Sequence, residues 1–442
     1  MRLSASAKAW SRLFDIGLLS WALLRKRCDC VIIFGSDLSS RMRLFCRCEF
    51  LETIDRKVLY PLSPGALRGA GRRVVLNPRF RMLCLPVAVA VGVRVLGAFW
   101  LLRALTVNGR FETPWMKANP GLIPSDQSWL WLFNAFDSLH FTLIAVHGYA
   151  RPEYAYLPGF PILIFLAGRL FGYWFGAFVV TQLFAMGSIL VFQMVAEHYL
   201  SPRESLHATL LMSAFPFISV FMTLGYSEPI FLFSTLLAWY FYKKAKIMPA
   251  SLAAAFAAVT RGYGVLIVLP MVLGLIRSKR YNKVAYPLII PTTFIGAWLL
   301  FCYISVGDAF ASWTDQKYWQ HGGVGDGIKI AQSFLHDGLR GLINCCSGLD
   351  PTIFWALGVF AILIALTWEV DHLLFIYAAG VSGLLLLVTT YSLSLLRFFP
   401  FIFPIWVSLR VKNPVIVAIC VGLLIPMTIV LWLYTVAVTF TG

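Results

Sequence analysis

Residues 250–276 read ASLAAAFAAVTRGYGVLIVLPMVLGLI. The run is apolar almost throughout, yet Thr260-Arg261-Gly262-Tyr263-Gly264 interrupts it near the middle. About 20 apolar residues cross a hydrocarbon core of roughly 30 Å, so length alone permits a single crossing. The flanking charge argues for something else. Lys243, Lys244 and Lys246 precede the run, and Arg277, Lys279, Arg280 and Lys283 follow it. Lys and Arg concentrate on the cytoplasmic side of membrane proteins. Both clusters lie there only if the segment goes in and comes back as two half-helices, with the Arg261-Gly-Tyr-Gly turn held at membrane depth. Non-helical backbone is tolerated at that depth where it lines a cavity, and half-helices meeting at such a turn recur as binding sites. The alternative is that one cluster departs from the charge rule, which is statistical.

The composition sets the frame for this reading. The chain has 442 residues, 59% hydrophobic and only 13% charged, with a mean hydropathy of +0.77. It reads as an all-α polytopic membrane protein of about 9–11 transmembrane helices with a large first outer loop. Spans are expected near 83–103, 174–197, 206–224, 226–242, 284–306, 352–368, 373–391, 398–410 and 415–440. Residues 156–172 are short, carry Pro158, Pro161, Gly168 and Arg169, and read as a dipping segment. Strands of alternating hydrophobicity, the mark of an outer-membrane barrel, do not appear.

The net charge of +17 is uneven: residues 1–81 carry +10 and the rest +7. A basic stretch ahead of a first span fits the positive-inside rule and anionic lipid better than nucleic acid, and no nucleic-acid partner is expected. Residues 1–81 read as a basic, poorly ordered cytoplasmic arm, and 82–442 as the transmembrane domain. Cys28-x-Cys30 and Cys46-x-Cys48 lack the usual zinc spacing and have no histidine nearby. Cys345-Cys346 reads equally as a vicinal disulfide or as two free thiols. No metal and no cofactor is expected.

With the first span starting in the cytoplasm, Asp137 falls on the outer or lumenal face, where Glu228, the loop 307–350 and Arg397 join it. Asp137 follows the aromatic stretch Trp129, Trp131, Phe133 and Phe136; it reads as the cap of a short helix and as a general base at the mouth of a cavity, and a cap does not exclude a base. His140, three residues on, shares its helical face, and His147 lies one heptad further. Gly225-Tyr226-Ser227-Glu228-Pro229 breaks two apolar runs as a hairpin turn would, but a turn alone does not explain an acid so close to hydrocarbon. Arg261 and Arg397 are cations in or beside apolar runs, which calls for a carboxylate or phosphate partner, and the guanidinium fork suits both. Arg94, inside the first span, and Arg169 are similar. Snorkelling to the interface is the alternative for each. Trp313, Asp315, Gln316, Tyr318, Trp319 and His321 in the loop suit a carbohydrate or headgroup pocket, or an ordinary interfacial loop. Walker A, dinucleotide, HExxH and GxSxG motifs are absent, and no soluble block is long enough to bind a nucleotide sugar.

Asp137-x-x-His140-Phe141, Ile144-Ala145, His147-Gly148-Tyr149 and Tyr156-x-Pro158-Gly159-Phe160-Pro161 together resemble the GPI mannosyltransferase 2 (PIG-V) family. Gly225-Tyr226-Ser227-Glu228, Arg261-x-x-Gly264 and Arg397-Phe398 are similar in type and order to that family's later motifs. Phe136 stands where the family usually has Trp, and the C-terminal region resembles PIG-V-like proteins of archaea and bacteria. The resemblance implies a GT-C fold and an inverting mannosyltransferase. Its donor is dolichyl- or polyprenyl-phosphate-mannose, and its acceptor a lipid-linked glycan or GPI-type glycolipid. Asp137 and His140 fall on the catalytic positions, Arg261 and Arg397 on the donor phosphate, and Glu228, His147 and Tyr226 on substrate positioning. Expected partners are that donor, the acceptor, membrane lipid and a small membrane subunit. The expected place is the endoplasmic reticulum membrane in a eukaryote or the cell membrane in an archaeon or bacterium, with the site on the outer face. Two other readings stay open: a transporter or flippase of lipid-linked sugars, and a non-catalytic subunit of a glycosylation complex.

Overall fold

The structure, a computed structural model, describes residues 28–33, 43–48, 78–107, 130, 133–134, 137–319, 351–388 and 392–441. It divides into two compact units, residues 1–75 and 76–442. In the first, strands Cys28–Ile33 and Arg43–Cys48 pair antiparallel, with Cys28 opposite Cys48 and Cys30 opposite Cys46 in backbone register.

Every described element of the second unit is helical, as expected. Helix α1 is Pro78–Val107 and α2 is Asp137–His147. Helices α3 (Gly159–Phe171) and α4 (Tyr173–Ala196) are joined by Gly172 alone, whose φ of 79° is open to glycine and costly for other residues. Helix α5 (Pro202–Ala214) starts with a capping box: the Ser201 side chain accepts from the Glu204 backbone N–H, and the Glu204 carboxylate accepts from the Ser201 N–H. The expected span 206–224 is two helices, α5 and α6 (Pro216–Phe221). Pro216 has no N–H to continue α5, and it holds Phe215 extended.

Helix α7 (Glu228–Lys243) leads into α8 (Ile247–Thr260), a 3-10 turn Gly262–Ile267 and α9 (Val268–Arg277). Next come α10 (Ala285–Val306) and α11 (Ala311–Thr314), then α12 (Pro351–Thr367), α13 (His372–Val388) and α14 (Ser392–Phe398). The expected span 398–410 is instead a 3-10 turn, Phe399–Phe401, and the short α15 (Pro404–Val407), because Pro400 and Pro404 prevent one continuous helix. Phe401, Phe403, Ile405 and Val407 are fully buried there, and this turn region joins Phe192, Phe231, Trp239 and Tyr377 in the main core. Helix α16 (Pro414–Thr441) closes the chain.

The broken segment goes out and returns. Helices α7 and α8 pack against each other along their lengths, and Arg261, just past the end of α8, stands 2.7 Å from Glu228 at the start of α7. Further on, Gly274 of α9 lies against Tyr242 and Leu373, where an added methyl would overlap the Tyr242 hydroxyl. Tyr242 is at the far end of α7. Between Arg261 and Gly274 the chain has therefore travelled back along α7, and Lys243 and Arg277 lie at the same end.

Among the described residues three helices are long and apolar enough to cross a membrane: Tyr173–Ala196, Tyr281–Val306 and Pro414–Leu433. Six more apolar helices are of 10–17 residues, including both halves of the broken segment and the dipping segment Gly159–Phe171.

Candidate functional site

The turn between α6 and α7 meets the start of α2, and their crossing creates the site. The Gly225 N–H donates to the Phe133 carbonyl at 2.7 Å, and Ser138 Oγ donates to the same carbonyl at 3.0 Å. A methyl on Gly225 would overlap Ser138 Oγ, so only glycine lets the two segments touch. Asn134 and Thr142 extend the seam, with Thr142 Oγ1 donating to Asn134 Oδ1 at 3.2 Å. This seam fixes Asp137, the first residue of α2, against Tyr226 to Glu228. An acid in a helix's first turn also faces the positive end of the helix dipole.

Four charges converge there. Arg397, near the end of α14, donates from Nη1 to Asp137 Oδ2 at 2.8 Å and from Nε to Glu228 Oε1. Arg261 Nη2 stands 2.7 Å from the same Glu228 oxygen. Two guanidiniums and two carboxylates, separated in sequence by up to 260 residues, thus balance one another. The Glu228 side chain is fully buried, whereas Asp137 keeps 32% of its side chain exposed. One carboxylate is structural in its burial, and the other opens outward.

Aromatic rings line the arginines. The Arg397 guanidinium lies 4.1 Å from the Tyr226 ring centre, 4.8 Å from Phe221 and 5.2 Å from Phe398. Arg261 lies 4.7 Å from Phe398. Such faces stabilise a desolvated cation by about 1–2 kcal/mol each at best. Of these charged side chains, three polar atoms remain buried without a partner: Arg397 Nη2, Arg261 Nε and Glu228 Oε2. Buried polar atoms are normally satisfied, and two free donors beside one free acceptor describe a place for an anionic group and a hydroxyl.

Burial pushes the Asp137 carboxyl up, but the Arg397 charge and hydrogen bond, helped by Arg261 and His140, pull it below the usual carboxylate range. Tyr156 donates its hydroxyl to Asp137 Oδ1 at 3.3 Å. Burial, then Asp137 and Glu153, push that phenol up, so it stays a donor. His140 does not bond Asp137. Its Nδ1 lies 2.9 Å from Glu153 Oε1, and its ring stacks on Tyr156 at 5.2 Å, so it braces the phenol that holds the acid.

His147 lies exposed at the other end of α2, about three turns away. Arg169 is also exposed, over the Phe165 ring. The described part of the loop 307–350 reaches the 148–156 segment: Arg151 pairs with Asp308 at 3.1 Å and with buried Asp315 at 3.3 Å, and Gln316 Nε2 donates to the Ala155 carbonyl at 3.0 Å. Burial pushes the Asp315 carboxyl up despite Arg151. Trp313 and Tyr318 are exposed. Trp129, Trp131, Phe136, the Trp319 side chain, His321 and Cys345-Cys346 lie outside the described residues.

The sequence reading missed Tyr156 and Glu153 as neighbours of the acid and Phe221 and Phe398 as the arginines' seats. Tyr156 did carry a signal, since it opens the Tyr-x-Pro-Gly-Phe-Pro run. Among the described residues no group of three His, Cys, Asp or Glu side chains is placed to hold a metal ion. No family model and no curated protein matches the chain.

Proposed function

We propose that this chain is a polytopic membrane glycosyltransferase of the GT-C type. It transfers a hexose, mannose by the resemblance of its motifs, from a polyprenyl-phosphate sugar to a lipid-linked glycan or GPI-type acceptor. The observation that carries the reading is the half-open Asp137 carboxylate bonded to Arg397, beside a second arginine, with buried donors left over. A base next to fixed cations is the arrangement that inverting transfer from a phosphate leaving group needs.

In this mechanism the acceptor hydroxyl approaches Asp137 from the exposed side. Its oxygen bonds the anomeric carbon as the bond to the phosphate oxygen breaks, and that electron pair stays on the phosphate. The hydroxyl proton passes to Asp137. Protonation weakens Asp137's hold on Arg397 Nη1 at the moment the departing phosphate gains charge, so the guanidinium turns from acid to leaving group without moving far. Arg261 supplies the second cation. Glu228 keeps both arginines in place and offers Oε2 to a substrate hydroxyl, while His140 and Tyr156 orient Asp137. The membrane setting follows from a prenyl-linked donor, with the endoplasmic reticulum or the cell membrane as the site and the outer face as the side.

Asp137→Asn, assayed with polyprenyl-phosphate-mannose and a glycolipid acceptor, is expected to lower turnover by about 10²–10⁴-fold. Near-normal turnover overturns the base assignment.

A further inference from the structure

Besides Arg261 and Arg397, a further arginine lies close to this site and, among the described residues, belongs to no ion pair. Arg94 is 4% exposed on α1. Its Nη1 donates to Gln182 Oε1 at 3.3 Å, and its Nη2 reaches the Met222 sulfur at 3.4 Å, a weak acceptor. Gln182 is committed in turn, since its Nε2 donates to the Thr223 carbonyl at 3.1 Å. Arg94 Nε has no partner, and among the described residues no carboxylate pairs with it.

Other donors around it are also unmet. The Trp432 indole N–H, 1% exposed, has no acceptor. A methyl on Gly97, one turn along α1 from Arg94, would lie 2.6 Å from that nitrogen. Ser219, fully buried and one turn before Met222, also leaves its hydroxyl unpaired. Trp432 packs with Val220 and Leu224, so α1, α6 and α16 bring these groups to one junction.

A buried, uncompensated cation costs several kcal/mol and persists when a counter-ion offsets it. The groups left open here are donors, and their setting is apolar: Val95, Leu96 and Phe99 are exposed on the same helix. We propose that Arg94, Trp432 and Ser219 form a phosphate-binding site, filled by the headgroup of an anionic membrane lipid. The depth fits, because Met222 lies in the turn leading to Glu228 and neighbouring Phe221 packs on Arg397. The site is separate from the Asp137 cluster and does not rest on the transfer reaction.

The test uses the full chain in detergent, titrated with phosphatidylglycerol, with diacylglycerol and with inorganic phosphate. Thermal unfolding and native mass spectrometry provide the two readouts. Phosphatidylglycerol should raise the melting temperature saturably by a few degrees, about what a ligand well above its dissociation constant confers, and diacylglycerol should not. A matching rise with inorganic phosphate would assign the site to the free oxyanion, and its absence to the lipid. Arg94→Met should lose the shift and one bound lipid, yet melt no lower than the parent without lipid. Should Arg94→Met fail to fold, Trp432→Phe decides: it should raise the half-saturating phosphatidylglycerol concentration several-fold. Asp137→Asn should keep the full shift, which separates this site from the proposed catalysis. An unchanged shift in Arg94→Met, an unchanged half-saturation in Trp432→Phe, or no shift in the parent chain overturns the proposal.

Discussion

Arg397 and Arg94 touch the same stretch, Phe221 to Tyr226, and solve the same problem in opposite ways. Arg397 meets two carboxylates, and Phe221 and Tyr226 cover its faces. Arg94 meets an amide oxygen and a thioether. In an apolar setting a guanidinium must be matched, and the first is matched by the chain itself. The difference separates a site whose charges balance among the described residues from a cation that finds no counter-charge among them. It also explains the division of labour within the first site, where Glu228 can be fully buried because two arginines hold it, leaving Asp137 free to face outward.

Mutations can break this comparison at either end. Asp137→Asn should have the largest effect, on turnover. Arg397→Met should come next: it takes the arginine from Asp137 and leaves Glu228 with Arg261 alone, and is expected to destabilise by about 3 kcal/mol in denaturant or thermal unfolding. The same change at Arg94 should cost nothing without lipid, so similar losses at both positions would erase the distinction. Gly225→Ala should be intermediate, about 1–3 kcal/mol, since the methyl must displace Ser138 and press on the Phe133 carbonyl. It should also move Asp137, and so reduce turnover along with stability.

Acid sharpens the comparison further. The folded Asp137 carboxyl sits below the usual carboxylate range, so the unfolded chain takes up its proton first as pH falls. Its contribution is fully present above the unfolded value of about 3.9 and is lost as pH drops through the folded one. Asp137→Asn should flatten that acid limb of the stability profile, and Arg94→Met should leave it unchanged. The smallest effect is expected at the far end of α7. There Asp371 pairs with Lys243 at 3.5 Å and accepts from the Leu373 N–H at 2.8 Å at the start of α13. Asp371→Ala should cost about 1 kcal/mol, the usual worth of a helix cap, measured by thermal unfolding.

Sequence alone determined the helical class and the break at Arg261, because apolar run length and glycine are local signals with a physical reading; flanking charge favoured the return of the broken segment, and the packing of Gly274 against Tyr242 decided it. It also named Asp137, Glu228, Arg261 and Arg397, since charge is costly among apolar residues and therefore conspicuous. Among the described residues, three of the nine expected spans are helices long and apolar enough to cross a membrane, and two others are broken for a local reason: Pro216, Pro400 and Pro404 sit inside runs whose hydropathy looks continuous. Pairing was decided only by the tertiary structure. Nothing in the order of residues says that Arg397 reaches Asp137 and Glu228 together, that His140 turns to Glu153 while Tyr156 bonds the acid, or that Arg94 meets no carboxylate among the described residues. Those outcomes depend on which helices meet and at what height, and contacts across long stretches of chain are set by packing, which no local pattern encodes.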